Sequence, residues 1–373
     1  MTLIKTFQAI EETRFLKTLS LQENLLFVGE IEPLQYIQNF WAKHQKIDRN
    51  FYYDLSSYAL ENLDNFILSD RQYQAIIVVS FEDETALFTK VRQKLATFHN
   101  IPIVRLFADV FINLMSKRGL LQPASDDFVK PKTAYAILTT PRSGSTYFCD
   151  LLGSTGVAGY PIEHLRLANQ ELALNCDFDY FRLLYNLMQY RVSDNGIFGT
   201  KLISHFLFEL RKAKPEFRDI FQLFDKYILL VRQDKVAQAV SLVIAQKTNV
   251  WHLQKNIERN NPDYQIYQSA LEHIAIDDEL LLEVKQKHQF VKNQENRLRH
   301  MLKVNQIEPL EIAYEDVVEN APIQIGKILN FLEVPPSLEQ IGGINSQIKK
   351  MPSELSQKII QQYKARNAQS ILK

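Results

Sequence analysis

The chain has 373 residues, of which 46% are hydrophobic and 23% are charged, and its 43 basic residues balance 43 acidic ones. This length and composition fit two domains or one large α/β domain. Because the formal net charge is zero, no global field draws the chain to nucleic acid or to an anionic membrane, and any anion site must be local.

The cysteine content and the apolar runs indicate the compartment. Two cysteines, Cys149 and Cys176, cannot form a disulfide framework and suit a reducing cytoplasm. The N-terminal residues are interrupted by charges, and no apolar run approaches the roughly 20 residues that span a bilayer. No His/Cys cluster has metal-ligand spacing. We therefore predict a cytoplasmic protein with no transmembrane segment, no metal and no nucleic-acid partner.

The first part of the chain alternates strands with helices. Hydrophobic residues near helical spacing predict a helix over about the first 19 residues. Apolar runs predict strands at Asn24–Glu30, Tyr73–Phe81 and Ile101–Phe107, with helices after the first two. This alternation indicates a parallel sheet with crossover helices. Residues 1–117 are therefore predicted to form a small α/β domain, in which we find no catalytic constellation.

A segment with Gly119, Pro123 and Pro131 follows, and residues 118–133 are predicted to be a linker. The alternation of strands and helices then restarts. The predicted strands are Ala134–Leu138, Ile197–Leu202, Lys226–Arg232 and Pro309–Glu315. A mostly helical stretch is predicted at 251–304. Residues 134–373 are therefore predicted to be a second, larger α/β domain with a central parallel sheet.

The segment "TPRSGST" connects the first of these strands to a helix predicted to begin at Ser145. Gly144 permits a backbone geometry that other residues resist, and Arg142 and the hydroxyl groups can bind an anion. The free N–H groups of the helix add the positive end of its dipole. The segment lacks both the lysine of a triphosphatase loop and the G-x-G-x-x-G fingerprint. It fits a phosphate-binding loop or an ordinary strand-turn-helix connection.

A second candidate anion site follows the strand that ends at Arg232. Asp234, Gln238 and Ser241 share one face of the next predicted helix by their spacing. Because open α/β sheets bind ligands outside the carboxyl ends of their strands, this polar stripe could hold a second phosphate. The alternative is a solvated helix face with Arg232 in a salt bridge.

Four segments in this order resemble one family: "TTPRSGSTYFCDLLGSTGVAGYPIEHL", "FGTKL", "VRQDKVAQAVSLVIAQKTNVWH" and "IEPLEIAYEDVVENAPIQIGKILNFLEV". Over roughly residues 130–370 the chain resembles the bacterial trehalose-sulfotransferase family of the larger sulfotransferase superfamily. The resemblance implies a P-loop-like sulfotransferase fold and 3′-phosphoadenosine 5′-phosphosulfate (PAPS) as co-substrate. It also implies a carbohydrate or glycolipid acceptor, and it raises the expectation of a homodimer. It does not cover residues 1–120.

The resemblance also implies roles for single residues. The residues expected to cradle the 5′-phosphosulfate are Arg142, Ser143, Gly144, Ser145 and Thr146. Arg232 and Ser241 are expected to bind the 3′-phosphate. Glu163 matches the family's proposed catalytic glutamate and is the expected general base. Its neighbour His164 is the rival, because other sulfotransferase branches employ a histidine base.

Several further positions have a functional and a structural interpretation. Lys201 could neutralise a sulfuryl or acceptor oxygen, or it could be an exposed strand-end lysine. Trp251, beside His252, could stack on a sugar or belong to the core or to an interface. The segment 314–316 resembles the superfamily element "YEDL" and is interpreted as structural, with its acidic pair starting a helix. Cys149 is predicted to pack in the core.

Two other functions stay open. A P-loop kinase would need a lysine before the Mg²⁺-binding hydroxyl, which this loop lacks. A non-enzymatic domain that binds a nucleotide or a sugar would keep the fold without turnover. The acceptor is not encoded in a pattern that we can recognise in the loops 168–190 and 251–278.

Overall fold

The structure is a computed structural model. The residues it describes are 15–19, 22, 24–43, 73–95, 100–122, 128–166, 176, 180–213, 215–251, 262–334, 342–348 and 354–371. The chain divides into two compact units, the first formed by Met1–Lys130 with His164–Arg191 and the second by Pro131–Glu163 with Val192–Lys373. Each unit has its own parallel sheet, which confirms the predicted α/β class. The limits predicted at 117 and 134 stay a prediction.

The elements up to residue 190 are α1 (Phe15–Leu19), β1 (Leu25–Gly29), α2 (Ile31–Lys43), β2 (Ala75–Val79), α3 (Glu84–Lys94), β3 (Ile103–Arg105), a π-helical segment (Leu106–Phe111), α4 (Ile112–Ser116), β4 (Thr133–Thr139), α5 (Ser145–Ser154) and α6 (Tyr180–Tyr190). Those that follow are β5 (Ile197–Ile203), α7 (Ser204–Ala213), a 3₁₀ helix (Pro215–Leu223), β6 (Lys226–Val231), α8 (Lys235–Thr248), α9 (Pro262–Glu272), α10 (Asp278–Val304), β7 (Leu310–Ala313), α11 (Tyr314–Glu319), α12 (Ala321–Phe331) and α13 (Glu354–Ile371).

The sheet of the first unit has the strand order β1-β2-β3, all parallel. Its first two strands are continuous apolar runs, as expected for strands covered on both faces. Gly29 is required where these strands approach, because a Cβ there would lie 2.1 Å from the carbonyl oxygen of Val79. At the carboxyl edge, Glu30 accepts hydrogen bonds from Ser80 Oγ at 2.8 Å and Phe81 N at 3.1 Å. Among the three described strands spatial order follows chain order, so these strands include no reversal point of the kind at which α/β folds bind ligands.

A buried carboxyl group links α3 to the π-helical segment of the first unit by hydrogen bonds. Glu84, the first residue of α3, accepts hydrogen bonds from the backbone N–H groups of Phe107 and Ala108, both at 2.9 Å. Burial raises the pKa of Glu84 to about 8, although the two N–H donors favour its charged form. This carboxyl group, which holds the start of the π-helical segment, therefore keeps its proton to a higher pH than an ordinary glutamate does.

The sheet of the second unit has the strand order β5-β4-β6-β7, again all parallel. β5 lies on one side of β4, and β6 and β7 lie on the other, so the direction of the connections reverses between β4 and β6. Open α/β sheets bind ligands outside the carboxyl ends of the strands at this position. The loop after β4 and Arg232 after β6 both lie at this edge.

The helix after the loop is anchored by its apolar face. Phe148, Leu151 and Leu152 of α5 are buried in one cluster with residues of β4, β6 and α12. Cys149 is buried in the same cluster, and burial raises the pKa of its thiol to about 12. The thiol stays protonated and packs, as predicted. The helix therefore presents its N-terminus to the loop from a rigid base.

Some element limits differ from the sequence predictions. β7 ends at Ala313, and Tyr314 and Glu315 begin α11 instead of ending the strand. β5 continues to Ile203, so Lys201 lies inside the strand. The helical stretch predicted at 251–304 is interrupted before α10, where Asp277 caps the new helix through Leu280 N. Only α1 of the predicted N-terminal helix lies within the described residues.

Among the helices of the described residues, none is both long and apolar enough to cross a bilayer.

The pKa of Glu84 predicts a pH-dependent stability. The folded protein binds this proton more tightly than the unfolded chain, so stability should fall as the pH rises from the ordinary value of 4.5 towards about 8. Between about pH 6 and pH 8 the loss is about 2 kcal/mol, since one pKa unit is worth about 1.4 kcal/mol.

Glu84→Gln is the matched control, because its side chain cannot ionise. The difference in free energy of unfolding between wild type and variant should change by about 2 kcal/mol across this range in chemical denaturation. A difference that does not change with pH would mean that Glu84 is already ionised at the lower pH.

Candidate active site

The candidate active site is built on the turn between β4 and α5. Arg142 and Gly144 both have positive φ angles, 61° and 85°, which is uncommon for arginine. Gly144 is required for a second reason, because an added Cβ would lie 2.1 Å from Cε2 of Tyr314. The N-cap residue of α5, Gly144, has no side chain to cap the helix, whereas Asp234 caps α8 and Asp277 caps α10. The N–H groups at the start of α5 are therefore available to an anion.

The hydroxyl groups of the loop are used differently. Ser143 is completely buried, and its Oγ lies 2.6 Å from Oγ1 of Thr139, which donates to the carbonyl oxygen of Leu230 at 2.9 Å. Oγ1 of Thr146 instead accepts a hydrogen bond from Nζ of Lys201 at 3.2 Å. The hydroxyl of Ser143 thus fixes the loop to the sheet, while that of Thr146 lies beside a cation. Ser145, the first residue of α5, is also buried.

Arg142 and Arg232 come together next to the loop. Nε of Arg142 donates to Oγ of Ser241 at 3.1 Å, and its Nη1 donates to the carbonyl oxygen of Trp251. Nη1 of Arg232 donates to the carbonyl oxygen of Arg142 at 3.2 Å. In the part of the chain that the structure describes, neither guanidinium is paired with a carboxylate. Burial and the charge of Arg232 lower the pKa of Arg142 to about 10, so this region has an unbalanced positive charge.

The backbone of Arg142 is therefore part of the loop, whereas its side chain lies with Arg232 and Ser241. The alternative in which Arg232 forms a salt bridge is not observed among the described residues. The guanidinium of Arg232 instead lies over the ring of Tyr314, with its Cζ 5.3 Å from the ring centroid.

Gln238 has a role that sequence analysis missed. Its side chain is completely buried, and Nε2 donates to Thr140 Oγ1 and to the carbonyl oxygen of Pro141, both at 2.7 Å. It therefore ties α8 to the first residues of the loop. Its place on the same helical face as Ser241 was the available signal, but the spacing alone did not show which segment that face would contact.

Glu163 and Lys201 form a second group at this edge. Nζ of Lys201 lies 3.4 Å from Oε2 of Glu163, and the two side chains are 4% and 23% exposed, respectively. The segment before Glu163 runs along β5, because Ile162 pairs with Thr200 and accepts a hydrogen bond from Lys201 N at 2.9 Å. Lys201 is therefore not an exposed strand-end lysine. It holds a partly exposed carboxylate in a fixed position.

The remaining predicted residues lie in other surroundings. His164 groups with the first unit and is completely buried. The side chain of Trp251 is exposed, and its contact with Arg142 is made through its carbonyl oxygen. His252 lies outside the described residues. Among the residues that can be assessed, no three His, Cys, Asp or Glu side chains are placed to hold a metal ion.

Comparison with known proteins identifies relatives of this chain. Residues 134–366 match the family model described as Stf0 sulphotransferase. The trehalose 2-sulfotransferase of Mycolicibacterium smegmatis is 25% identical over 250 residues, covering 55% of this chain and 86% of that protein. The enzyme of the same name from Mycobacterium tuberculosis is 25% identical over 242 residues, covering 55% of this chain and 85% of that protein. The solved sulfotransferase domain from the curacin biosynthetic pathway has 16% identity and a TM-score of 0.31, covering 64% of this chain and 99% of that domain.

The family match begins at Ala134, in β4, and includes the loop, Glu163, Lys201 and Arg232. It favours the sulfotransferase over the P-loop kinase, in agreement with the absence of a lysine from the loop. Since more than half of its residues are matched, the chain belongs to the Stf0 sulphotransferase family and is a sulfotransferase.

Proposed function

We propose that the enzyme transfers the sulfuryl group of PAPS to a hydroxyl of a carbohydrate or glycolipid acceptor. The observation that carries the proposal is the pair Arg142, which contacts Ser241, and Arg232, which contacts the carbonyl oxygen of Arg142; neither guanidinium has a carboxylate partner among the described residues. A donor with anionic groups at two positions requires such a cationic site in addition to a phosphate loop. The trehalose 2-sulfotransferases among the relatives support a carbohydrate acceptor.

Two sets of groups would hold the donor. The uncapped N-terminus of α5 and the hydroxyl of Thr146 suit the 5′-phosphosulfate. Arg232 and Ser241 suit the 3′-phosphate, and the side chain of Arg142 adds its charge beside them. When bound, PAPS supplies a sulfuryl group attached to a phosphate leaving group. The protein groups at these two places are N–H and O–H hydrogen-bond donors and cations, and such groups bind the phosphates and the sulfuryl group of PAPS.

Glu163 is the proposed general base. Its carboxylate is partly exposed, and Lys201 holds it on the same edge as the loop. The carboxylate would accept the proton of the acceptor hydroxyl as the oxygen attacks sulfur in line with the leaving group. The ammonium of Lys201 and the N–H groups of α5 would stabilise the negative charge that develops on the sulfuryl and leaving oxygens.

The donor site can be tested with the two nucleotides 3′-phosphoadenosine 5′-phosphate (PAP) and 5′-AMP. We expect PAP to bind the wild-type protein at least about tenfold more tightly in calorimetric titration, because a charge-assisted hydrogen bond contributes about 1.5–3 kcal/mol. Arg232→Gln should remove this preference. Arg366→Gln changes an exposed arginine of α13 and should preserve it. Equal binding of both nucleotides by the wild type would contradict the proposal.

The base can be tested by Glu163→Gln, which keeps the shape of the side chain but cannot accept the proton. Turnover of labelled PAPS, with trehalose as the first acceptor, should fall roughly 10²–10⁴-fold while PAP affinity is retained. Glu319→Gln, at an exposed carboxylate of α11, should have no effect. Unchanged turnover in Glu163→Gln would remove Glu163 as the base and make His164 the next residue to test.

A further inference from the structure

Two adjacent residues after β7, Tyr314 and Glu315, contact the loop at Gly144 and the segment 232–234. Ala313, the last residue of β7, pairs with Val231 at the end of β6. The parallel register therefore brings Tyr314 beside Arg232, the residue that follows β6. Since α11 begins at Tyr314, the next side chain, that of Glu315, lies at the same edge of the sheet.

The ring of Tyr314 lies between the loop and Arg232. Its Cε2 and Cδ2 fill the space that a Cβ of Gly144 would occupy, at 2.1 and 2.2 Å from it. Its face is covered by the guanidinium of Arg232. The guanidinium is thus held against the ring, and its Nη1 donates to the carbonyl oxygen of Arg142. Nε of Arg232 is buried without a hydrogen-bond partner in the described structure, a donor that a bound anion would satisfy.

The carboxylate of Glu315 is occupied by backbone groups. Gln233 N donates to its two oxygens at 3.1 and 3.0 Å, and Asp234 N donates to Oε1 at 3.2 Å. The carboxylate of Asp234 is occupied as well, because it accepts the N–H of Ala237 at 2.8 Å. The two acidic side chains next to Arg232 therefore hold the turn after it and leave its charge unpaired.

We propose that Tyr314 and Glu315 are positioning residues for recognition of the donor's 3′-phosphate. The ring sets the distance between the Gly144 loop and Arg232, and the carboxylate fixes the turn behind Arg232 without neutralising it. Both act through Arg232, and neither touches the sulfuryl group. The inference rests on the proposed function, and it gives Tyr314 and Glu315 a part in donor recognition beyond starting a helix.

The readout is the ratio of PAP affinity to 5′-AMP affinity, which a merely structural role would not move. Tyr314→Leu removes the flat ring and should lower the ratio about tenfold, whereas Tyr314→Phe keeps the ring and should preserve it. Glu315→Ala removes the acceptor of both N–H groups and should lower the ratio by a similar factor. Glu315→Gln keeps one acceptor oxygen and should lie between Glu315→Ala and wild type. Glu319→Gln on the same helix is the matched control.

Each outcome is decisive once circular dichroism shows a folded variant. A wild-type ratio near one would overturn the proposed function and this inference together. A wild-type preference for PAP that persists in Tyr314→Leu and Glu315→Ala would overturn the inference alone. If either of these two variants fails to fold, Glu315→Gln decides: a ratio equal to that of wild type contradicts the positioning role, and a reduced ratio supports it.

Discussion

Two positive charges that lie close together repel, and a folded protein keeps them there only if its neighbouring groups hold them. Arg142 and Arg232 are held in this way by Ser241, by backbone carbonyl groups and by the ring of Tyr314. Because burial and this repulsion lower the pKa of Arg142 to about 10, the arrangement costs free energy in the absence of an anion. Binding of the proposed anion between them would offset that cost.

The topology explains why this arrangement occurs in the second unit. The connections of its sheet reverse direction between β4 and β6, which brings the uncapped start of α5 next to Arg232. The described strands of the first unit's sheet show no reversal, and at their carboxyl edge the side chain of Glu30 accepts hydrogen bonds from Ser80 and Phe81. Similar strands and crossovers therefore place two adjacent arginines at the carboxyl edge in one unit and a hydrogen-bonded glutamate at the carboxyl edge in the other.

The sequence predicted the features that depend on local pattern. Apolar runs located all seven strands of the described residues, and the glycine and hydroxyl residues after β4 located the loop. Side-chain directions could not be predicted, because they depend on contacts between distant residues. Arg142 meets Ser241 across 99 positions, and Lys201 meets Thr146 across 55. The end of β7 was placed two residues too late, since Tyr314 suits a strand by propensity, whereas the acidic pair Glu315 and Asp316 lies in the first turn of α11, as predicted.

The backbone of Arg142 adopts a conformation that costs stability. A left-handed conformation is unfavourable for any residue with a Cβ, and glycine at this position would relieve it. Glycine would also remove the guanidinium that reaches Ser241. The same strained residue offers its carbonyl oxygen to Arg232, so its conformation serves both partners. The loop therefore uses glycine only at position 144, where the ring of Tyr314 leaves no room for a Cβ, and accepts strain at 142, where the side chain carries the charge.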